Sequence, residues 1–432
     1  MNMKRLFFAA AMLVTAFSIH AQVSLDSCRS WAKANYPAIH QYALIEKSTE
    51  YSVSNAARAW IPRVMLSAQA TYQSDAANMS EVWVSMGLGS MMSAMGKEIP
   101  DLYMRKFQGK VQLDIQQTIW DGGKSVADKC SAQADKVQQK AQADVDFYQL
   151  DNRILSLYFG ILLLDEQQAQ LATTDSLLRS NLERVRTLYN NNMVLQSDVD
   201  AVEVEVLSLQ QKREQLAFSR MAYREMLSMM TGHDVRDAGL ALPKEQENSL
   251  VPNERPELRL LNAKSDYVAS QRKAILAASM PQFSAFAQGY YGYPNLNMFE
   301  SMQSGAWGLN GIVGVRMQWS IGALYTQKNN LNKLDIARQQ IAVQRDVFDY
   351  NRRMQVAQKS AEIARLSKAI ENDDRIVELR GNVRRAAEIK LENGTITTSE
   401  LLQKIAEESN AQSARSMHQI ELRKAQYELK NL

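Results

Sequence analysis

The sequence has 432 residues, of which 46% are hydrophobic and 22% charged, and its formal net charge is +3. A nearly neutral chain offers no extended basic surface, so we expect no nucleic-acid partner. Its two cysteines, Cys28 and Cys130, are too few for a disulfide framework. We expect two unpaired thiols, with a single disulfide as the alternative.

The first 21 residues have the pattern of a secretory signal peptide. Lys4 and Arg5 precede an apolar run over residues 6–19, and Ala21 supplies a small residue for cleavage. The run is shorter than the roughly 20 apolar residues of a membrane-spanning helix, which disfavours an anchor. We predict a cleaved signal at residues 1–21 and an exported mature chain that is close to neutral.

Two stretches then alternate apolar and polar residues, as strands with one apolar face do. They cover residues 64–72 and 111–119, and the second runs into Trp120. Residues 75–105 between them are rich in methionine, and we predict a cell-surface loop there. Methionines can bind soft metals, but this segment has no histidine or cysteine to accompany them, so metal binding is the weaker hypothesis.

A long helix and a returning helix are predicted next. Residues 101–242 contain no proline, and residues 124–190 contain one glycine, so a continuous helix about 100 Å long fits this stretch. Asn191 and Asn192 suit a turn, and Ser197 suits the start of the returning helix. Apolar residues then recur at alternating spacings of three and four from residue 199 to 227, which predicts a coiled-coil seam interrupted by Arg213 and Arg220.

The second half of the sequence repeats this order. Pro256 and Pro281 are 25 residues apart, as are Pro37 and Pro62 in the first half, and Trp319 corresponds to Trp120. Predicted strands cover residues 283–293 and 312–321, and a second long helix covers residues 323–393. The turn after it contains Asn393, Gly394 and Thr395, and residues 397–399 can cap the last helix. We predict a tandem duplication with repeats at residues 22–240 and 256–432, joined by a linker at residues 241–255.

The four strands raise a physical problem. Each has about the 9 to 11 residues with which a tilted strand crosses a bilayer, but four strands cannot close a barrel, and lipid offers no partners to open edges. The sheet is therefore either soluble or completed by other copies. A trimer would supply twelve strands, a number within the known range for outer-membrane barrels.

The strand-to-helix sequence Trp120-Asp121-Gly122-Gly123-Lys124, together with the repeats and helix lengths, resembles the outer-membrane efflux protein family, of which TolC is the type. The second half keeps only Trp319 and Gly322 of this motif. The resemblance implies an α+β membrane protein, a homotrimer whose 12-stranded outer-membrane β-barrel continues as an α-helical coiled-coil tunnel through the periplasm. It also implies a conduit without catalysis or cofactor. Its partners would be outer-membrane lipid, a periplasmic adaptor and an inner-membrane efflux or secretion transporter.

The resemblance places the closable entrance at the helical turns, where acidic residues would ring the pore. Glu400 matches the first acidic position and Gln403 replaces the second, so we expect weaker cation binding than two acidic rings would give. Ile396 and Leu391 occupy the positions of the family's latch, so that latch is not carried over. In the first repeat's turn Asp198 could pair with Lys390 or Arg384, although a helix cap or an exposed position is the alternative for each acidic residue.

Other readings of the sequence have less support. His40, His233 and His418 are far apart and lack the spacing of metal ligands or a catalytic group, which disfavours an enzyme. A periplasmic coiled-coil adaptor is the alternative, since it also uses antiparallel helices. An adaptor would need one such hairpin, whereas this sequence predicts two. At the barrel, we expect Trp120 and Trp319 to end strands near the membrane surface, with a packed corner beneath the barrel as the alternative. We expect Gly122, Gly123 and Gly322 to allow the change from strand to helix.

Overall fold

The structure, a computed structural model, describes residues 22–98, 102–244 and 255–432. The predicted signal peptide and most of the predicted linker lie outside these residues. Within them the chain forms ten α-helices and four β-strands, in this order: α1 (Leu25–Asn35), α2 (Ile39–Arg58), β1 (Arg63–Tyr72), α3 (Met79–Ser85), α4 (Leu88–Ala94), β2 (Phe107–Trp120), α5 (Lys124–Asn190), α6 (Gln196–Thr231), α7 (Pro256–Ala278), β3 (Gln282–Tyr293), α8 (Met298–Ser304), β4 (Gly308–Gln318), α9 (Gly322–Glu392) and α10 (Thr398–Lys430).

The chain divides into two compact units. One contains the sheet and is built from residues 44–139 and 262–342. The other is helical and is built from residues up to 43, 140–261 and 343–432. No helix among the described residues combines the length and the apolar character needed to cross a membrane.

The four strands form one antiparallel sheet in the order β1-β2-β3-β4. All four predicted strands are present, but β4 is shifted: it begins at Gly308, paired with Gly292, and ends at Gln318. The carbonyls of Ser320 and Ile321 accept hydrogen bonds from the first turn of α9, so they are not available to a strand. Trp319 therefore follows β4 and does not belong to it.

One face of the sheet is apolar and exposed. The register aligns Val64, Ile115, Ala287 and Val313 across the four strands, and the rows on either side of them consist of aliphatic residues and glycine except for Gln117. Leu309 and Val313 of β4 are 83% and 81% exposed. The other face carries most of the polar side chains, because successive residues of a strand point to opposite sides.

The core of the helical unit lies where α5 and α6 pack with α1. Ile154, Tyr158 and Phe159 of α5 are almost fully buried, as is Leu227 of α6. The Tyr158 hydroxyl lies 2.7 Å from the Val23 carbonyl and 2.6 Å from the Ala241 carbonyl, so this buried polar group has partners. Cys28 of α1 is buried in the same core, and burial raises the pKa of its thiol to about 11. Both cysteines are free, as expected.

The predicted seam of α6 is confirmed in part, because Tyr223 is exposed and Arg224 is buried in its place; its two polar exceptions pair with α5. Val199, Val202, Val206 and Leu227 are buried. Arg213 lies 2.9 Å from the carboxylate of Asp175, and Arg220 pairs with Asp165. An arginine in a helical seam keeps its charged group near solvent and satisfies it with the facing carboxylate.

The methionine-rich segment is more ordered than predicted. It was expected to be a loop, but it forms the short helices α3 and α4, and the Asn78 side chain accepts hydrogen bonds from the first turn of α3. Met79 and Trp83 of α3 pack against a small buried cluster that includes Leu102 and Tyr293. This apolar packing explains the helix, and residues 99–101 of the segment lie outside the described range.

Candidate functional site

The turn between α5 and α6 is built from asparagines, as predicted. Asn192 has a φ of 55°, in the left-handed region that asparagine tolerates, and the Asn191 N–H donates to the Thr187 carbonyl at 3.2 Å. The predicted cap at Ser197 is wrong. Helix α6 begins at Gln196, so Ser197 is already helical, and Leu195 precedes the helix.

Asp198 helps to cap the N-terminus of α6. Its carboxylate accepts a hydrogen bond from the Leu195 N–H at 3.0 Å. Of the two alternatives for Asp198 the structure shows the helix cap: among the described residues, Asp198 pairs with neither Lys390 nor Arg384. Arg384 is bonded to Glu408 and Glu388. Burial by itself would lower the pKa of Arg384, but these two carboxylates raise it above its ordinary value.

The turn between α9 and α10 follows the prediction closely. Gly394 has a φ of 68°, and the Asn393 side chain donates to the Ile389 carbonyl at 2.9 Å. The N–H and hydroxyl of Thr395 both donate to the Lys390 carbonyl, each at 2.9 Å. These bonds satisfy the carbonyls at the end of α9 that the helix itself leaves unpaired.

Glu400 takes part in a capping box at the start of α10. Its N–H donates to the Thr397 hydroxyl at 3.3 Å, and its carboxylate accepts from the Thr397 N–H at 3.0 Å. Gln403, one turn further, donates to Glu407 at 3.0 Å. Glu400 and Gln403 are exposed and Asp198 is half-buried. Each acidic residue thus has a structural role in capping, and the Glu400 carboxylate also remains accessible to solvent.

The two helical turns flank an apolar cavity of about 760 Å³. Its wall includes Leu188 and Leu195 from the first hairpin and Leu391 and Ile396 from the second. Deeper in, both hairpins contribute to one buried cluster: Leu178, Leu182, Val185, Val199, Val202, Val206, Ala387, Leu391, Leu401 and Ile405. The structure therefore brings together the predicted tip residues of both hairpins.

One ion pair near this cavity links the two hairpins. Arg184 of α5 lies 3.7 Å from Glu392 at the end of α9. Neither residue was predicted from the sequence, because their spacing along the chain gives no signal of this contact. Arg184 and Glu392 are partly exposed, so their attraction is weak and sensitive to salt.

The first strand-to-helix junction depends on Asp121. Its carboxylate accepts from the Gly123 N–H at 3.0 Å, from the Ser125 N–H at 2.7 Å and from the Ser125 hydroxyl. Burial raises the pKa of Asp121, but these hydrogen bonds outweigh it and hold the pKa below its ordinary value. Gly122 and Gly123 have φ angles of 72° and 88°, so glycine is needed at this change of direction.

The second junction is built differently. Gly322 is the first residue of α9 and has no left-handed backbone angle, so the expectation that it permits a sharp turn is wrong. Trp319 instead fixes the corner: its indole N–H donates to the Ser279 carbonyl at 3.0 Å. At the first junction the Trp120 ring packs against Phe283, with ring centroids 6.0 Å apart.

The described residues contain no group of three or more His, Cys, Asp or Glu side chains placed to hold a metal ion. His418 accepts or donates a single hydrogen bond, to Asp373 of α9 at 2.7 Å. This pair joins two neighbouring helices.

Comparison with solved structures identifies the architecture. VceC, an outer membrane protein from Vibrio cholerae, superposes with a TM-score of 0.67 at 16% identity, over 94% of this chain and 96% of that chain. The chain has the TolC-like fold of the outer-membrane efflux channels. The Neisseria gonorrhoeae outer membrane channel MtrE, in its open state, gives a TM-score of 0.66 at 15% identity, over 94% and 88% of the two chains.

The Campylobacter jejuni outer membrane channel CmeC gives a TM-score of 0.67 at 11% identity, over 93% of this chain and 83% of that chain. The sequence matches no protein-family model and no curated protein. The likeness at these identities concerns the fold, and it confirms the resemblance on which the architecture was predicted.

Proposed function

We propose that this chain is the outer-membrane exit channel of a tripartite efflux system or a type I secretion system. It would be a passive conduit for small molecules or polypeptides, located in the outer membrane with its helical part in the periplasm. A periplasmic adaptor and an inner-membrane transporter would open it and supply the energy. The fold shared with outer-membrane channels supports this proposal.

The observation that carries the proposal is the sheet with an exposed apolar face and two unpaired edges. β1 and β4 each have one neighbour, and the aliphatic side chains of β4 are among the most exposed in the chain. A face of this kind is unfavourable in water but favourable in lipid. In lipid, however, both edges must be paired, because unsatisfied backbone groups cost several kcal/mol each.

Three copies of the chain would pair both edges of every sheet. If β4 of one copy pairs with β1 of the next, twelve strands close a barrel, with the apolar face toward lipid and the polar face toward the interior. Trp120 and Trp319 would lie at the membrane surface on the periplasmic side. The helical hairpins would continue the conduit. We also propose that the two similar halves arose by tandem duplication, with the repeat and linker boundaries given above.

The helical turns are the proposed entrance. Glu400 from three copies would supply one ring of carboxylates, accessible to solvent yet fixed in position by the capping box. The apolar cavity between the two turns is the surface we assign to contact with the adaptor. Its residues are partly exposed in the single chain, which suits a contact that forms and breaks.

The alternative function is that of a periplasmic coiled-coil adaptor or scaffold. Planar-bilayer recording of the purified protein decides between the two. The channel hypothesis predicts discrete conductance steps from protein recovered in the outer-membrane fraction. A protein that is recovered in the periplasm and gives no conductance would instead be the scaffold.

A further inference from the structure

The polar face of the sheet carries an excess of positive charge. Arg63 of β1, Lys110 of β2 and Arg316 of β4 lie on this face, against one carboxylate, Asp114 of β2. No described carboxylate forms an ion pair with any of the three basic side chains. Arg63 and Arg316 are exposed and Lys110 is half-buried.

The two arginines lie at the same end of the sheet. Arg63 shares a row with Gln116, and Arg316 pairs with Ser284, which is opposite Thr118 in the adjacent row. Adjacent rows on one face are about 7 Å apart. Since β1 begins and β4 ends near Arg63 and Arg316, both side chains lie at the end of the sheet from which the long helices continue.

The single carboxylate of this face is occupied by hydrogen bonds. The Gln112 amide lies 2.7 and 2.8 Å from the two oxygens of Asp114, and the Gln288 amide donates to one of them at 2.6 Å. These amides spread the negative charge of Asp114 and leave it no lysine or arginine partner. The three basic groups therefore remain uncompensated on this face.

Two of the basic groups are supported by aromatic rings on the same face. The Arg316 guanidinium lies 4.8 Å from the centre of the Phe286 ring, and the Lys110 ammonium lies 5.7 Å from the centre of the Tyr290 ring. A cation above a ring is held without being neutralised, so it can still attract an anion from solution. A flat ring beside a guanidinium also suits organic anions that combine charge with apolar surface.

We propose that the barrel interior selects anions, and that Arg63 and Arg316 form a basic ring near its helical end that favours anionic solutes as cargo. This inference rests on the proposed channel, because the polar face lines a pore only if three copies close the barrel. Six guanidinium groups would then surround the path. In water, a unit positive charge about 10 Å from an anion raises the local anion concentration about twofold. Six guanidinium groups together should therefore raise it strongly, even when salt screens each of them. Rings of basic side chains are known to favour anions in pores.

The test is the chloride-to-potassium permeability ratio, measured as the reversal potential of the channel in planar bilayers under a potassium chloride gradient. The wild type should prefer chloride. The double variant Arg63→Gln/Arg316→Gln should lower the ratio by at least about twofold. The matched double variant Arg63→Lys/Arg316→Lys keeps all six charges and should keep the preference.

Salt dependence tests the same ring without a substitution. Raising the ionic strength from about 0.1 to about 1 M shortens the Debye length from about 10 to about 3 Å, and the chloride preference of the wild type should shrink accordingly. A pore that prefers potassium, or whose ratio is unchanged in the glutamine variant, would overturn the anion ring and leave the channel intact. Absence of any pore would overturn the channel and the ring together.

Discussion

Arginine at Val313 should prevent stable insertion of the barrel. Val313 is the middle residue of β4, is 81% exposed and lies in an apolar row with Ala287, Ile115 and Val64. If this face meets lipid, the guanidinium lies near the centre of the bilayer. Arginine on the lipid face of an outer-membrane barrel costs about 2 to 4 kcal/mol at that depth, hence roughly 6 to 12 kcal/mol for three copies.

The neighbouring residue provides a matched control. Ile312 precedes Val313, points to the opposite face in the row of Gln288 and Asp114, and is 37% exposed. The substitution Ile312→Arg places the same charge at the same depth but inside the proposed pore. It should change the free energy of unfolding by less than about 1 kcal/mol, because the charge remains in water.

The assay is refolding into lipid vesicles followed by urea titration of the inserted protein, with a protease-protected barrel as the readout. We expect Val313→Arg to shift the titration midpoint strongly or to abolish insertion, while Ile312→Arg behaves like the wild type. Equal effects of the two substitutions would refute the assignment of faces. A larger effect at Ile312 would show that the apolar face does not meet lipid.

Four further predictions concern the core, the junction and the tip. Tyr158→Phe should lower the free energy of unfolding by about 1 to 3 kcal/mol, because the Ala241 carbonyl loses its donor while the Val23 carbonyl keeps only the Ala241 N–H; thermal denaturation in detergent measures this. Arg224 is 3% exposed and bonds to three loop carbonyls and to Asp165. Arg224→Met should therefore cost about 3 kcal/mol, and a loss below about 1 kcal/mol in the same assay would contradict this. Asp121→Ala should cost about 1 kcal/mol at neutral pH. Because the pKa of Asp121 is lowered by folding, this contribution is present above its unfolded-state pKa and is lost as the pH falls through the folded-state pKa; the unfolding midpoints of variant and wild type should therefore converge in acid. Glu400→Gln keeps an oxygen that can accept from the capped N–H but removes the charge, so block by a polyvalent cation added at the helical tips should weaken while the melting temperature stays unchanged.

Much of the fold could be predicted because local rules and tertiary structure agree here. The alternation in β1 and β3 gave strands correct to within one or two residues, since one face of each strand is apolar. The absence of proline and the Asn or Gly turn residues marked both ends of α5 and α9 to within one residue. Among the tip residues, Gly394 was predictable because the left-handed backbone angle at the end of a helix favours glycine.

The remaining errors concern contacts that residue preferences alone do not reveal. Ser197 suits a helix cap, but α6 begins at Gln196, two residues before the start that this cap would give, and Asp198 accepts the capping bond from the Leu195 N–H. Arg384 was one possible partner of Asp198 because both lie near the tip, but Arg384 on α9 pairs with Glu408 on α10. Arg224 gave no signal of burial, since its carbonyl partners come from the loop that follows its own helix.

The central claim is that three copies close one barrel through β1 and β4. The most direct test is disulfide cross-linking between these edges, with cysteine at Leu66 of β1 and a scan of single cysteines along β4, in a background with Cys28→Ala and Cys130→Ser. The account predicts that oxidation in native membranes gives covalent dimers and trimers at one register of the scan, with the trimer as the largest product. Cross-links that never form, or a ladder that continues beyond the trimer, would contradict it.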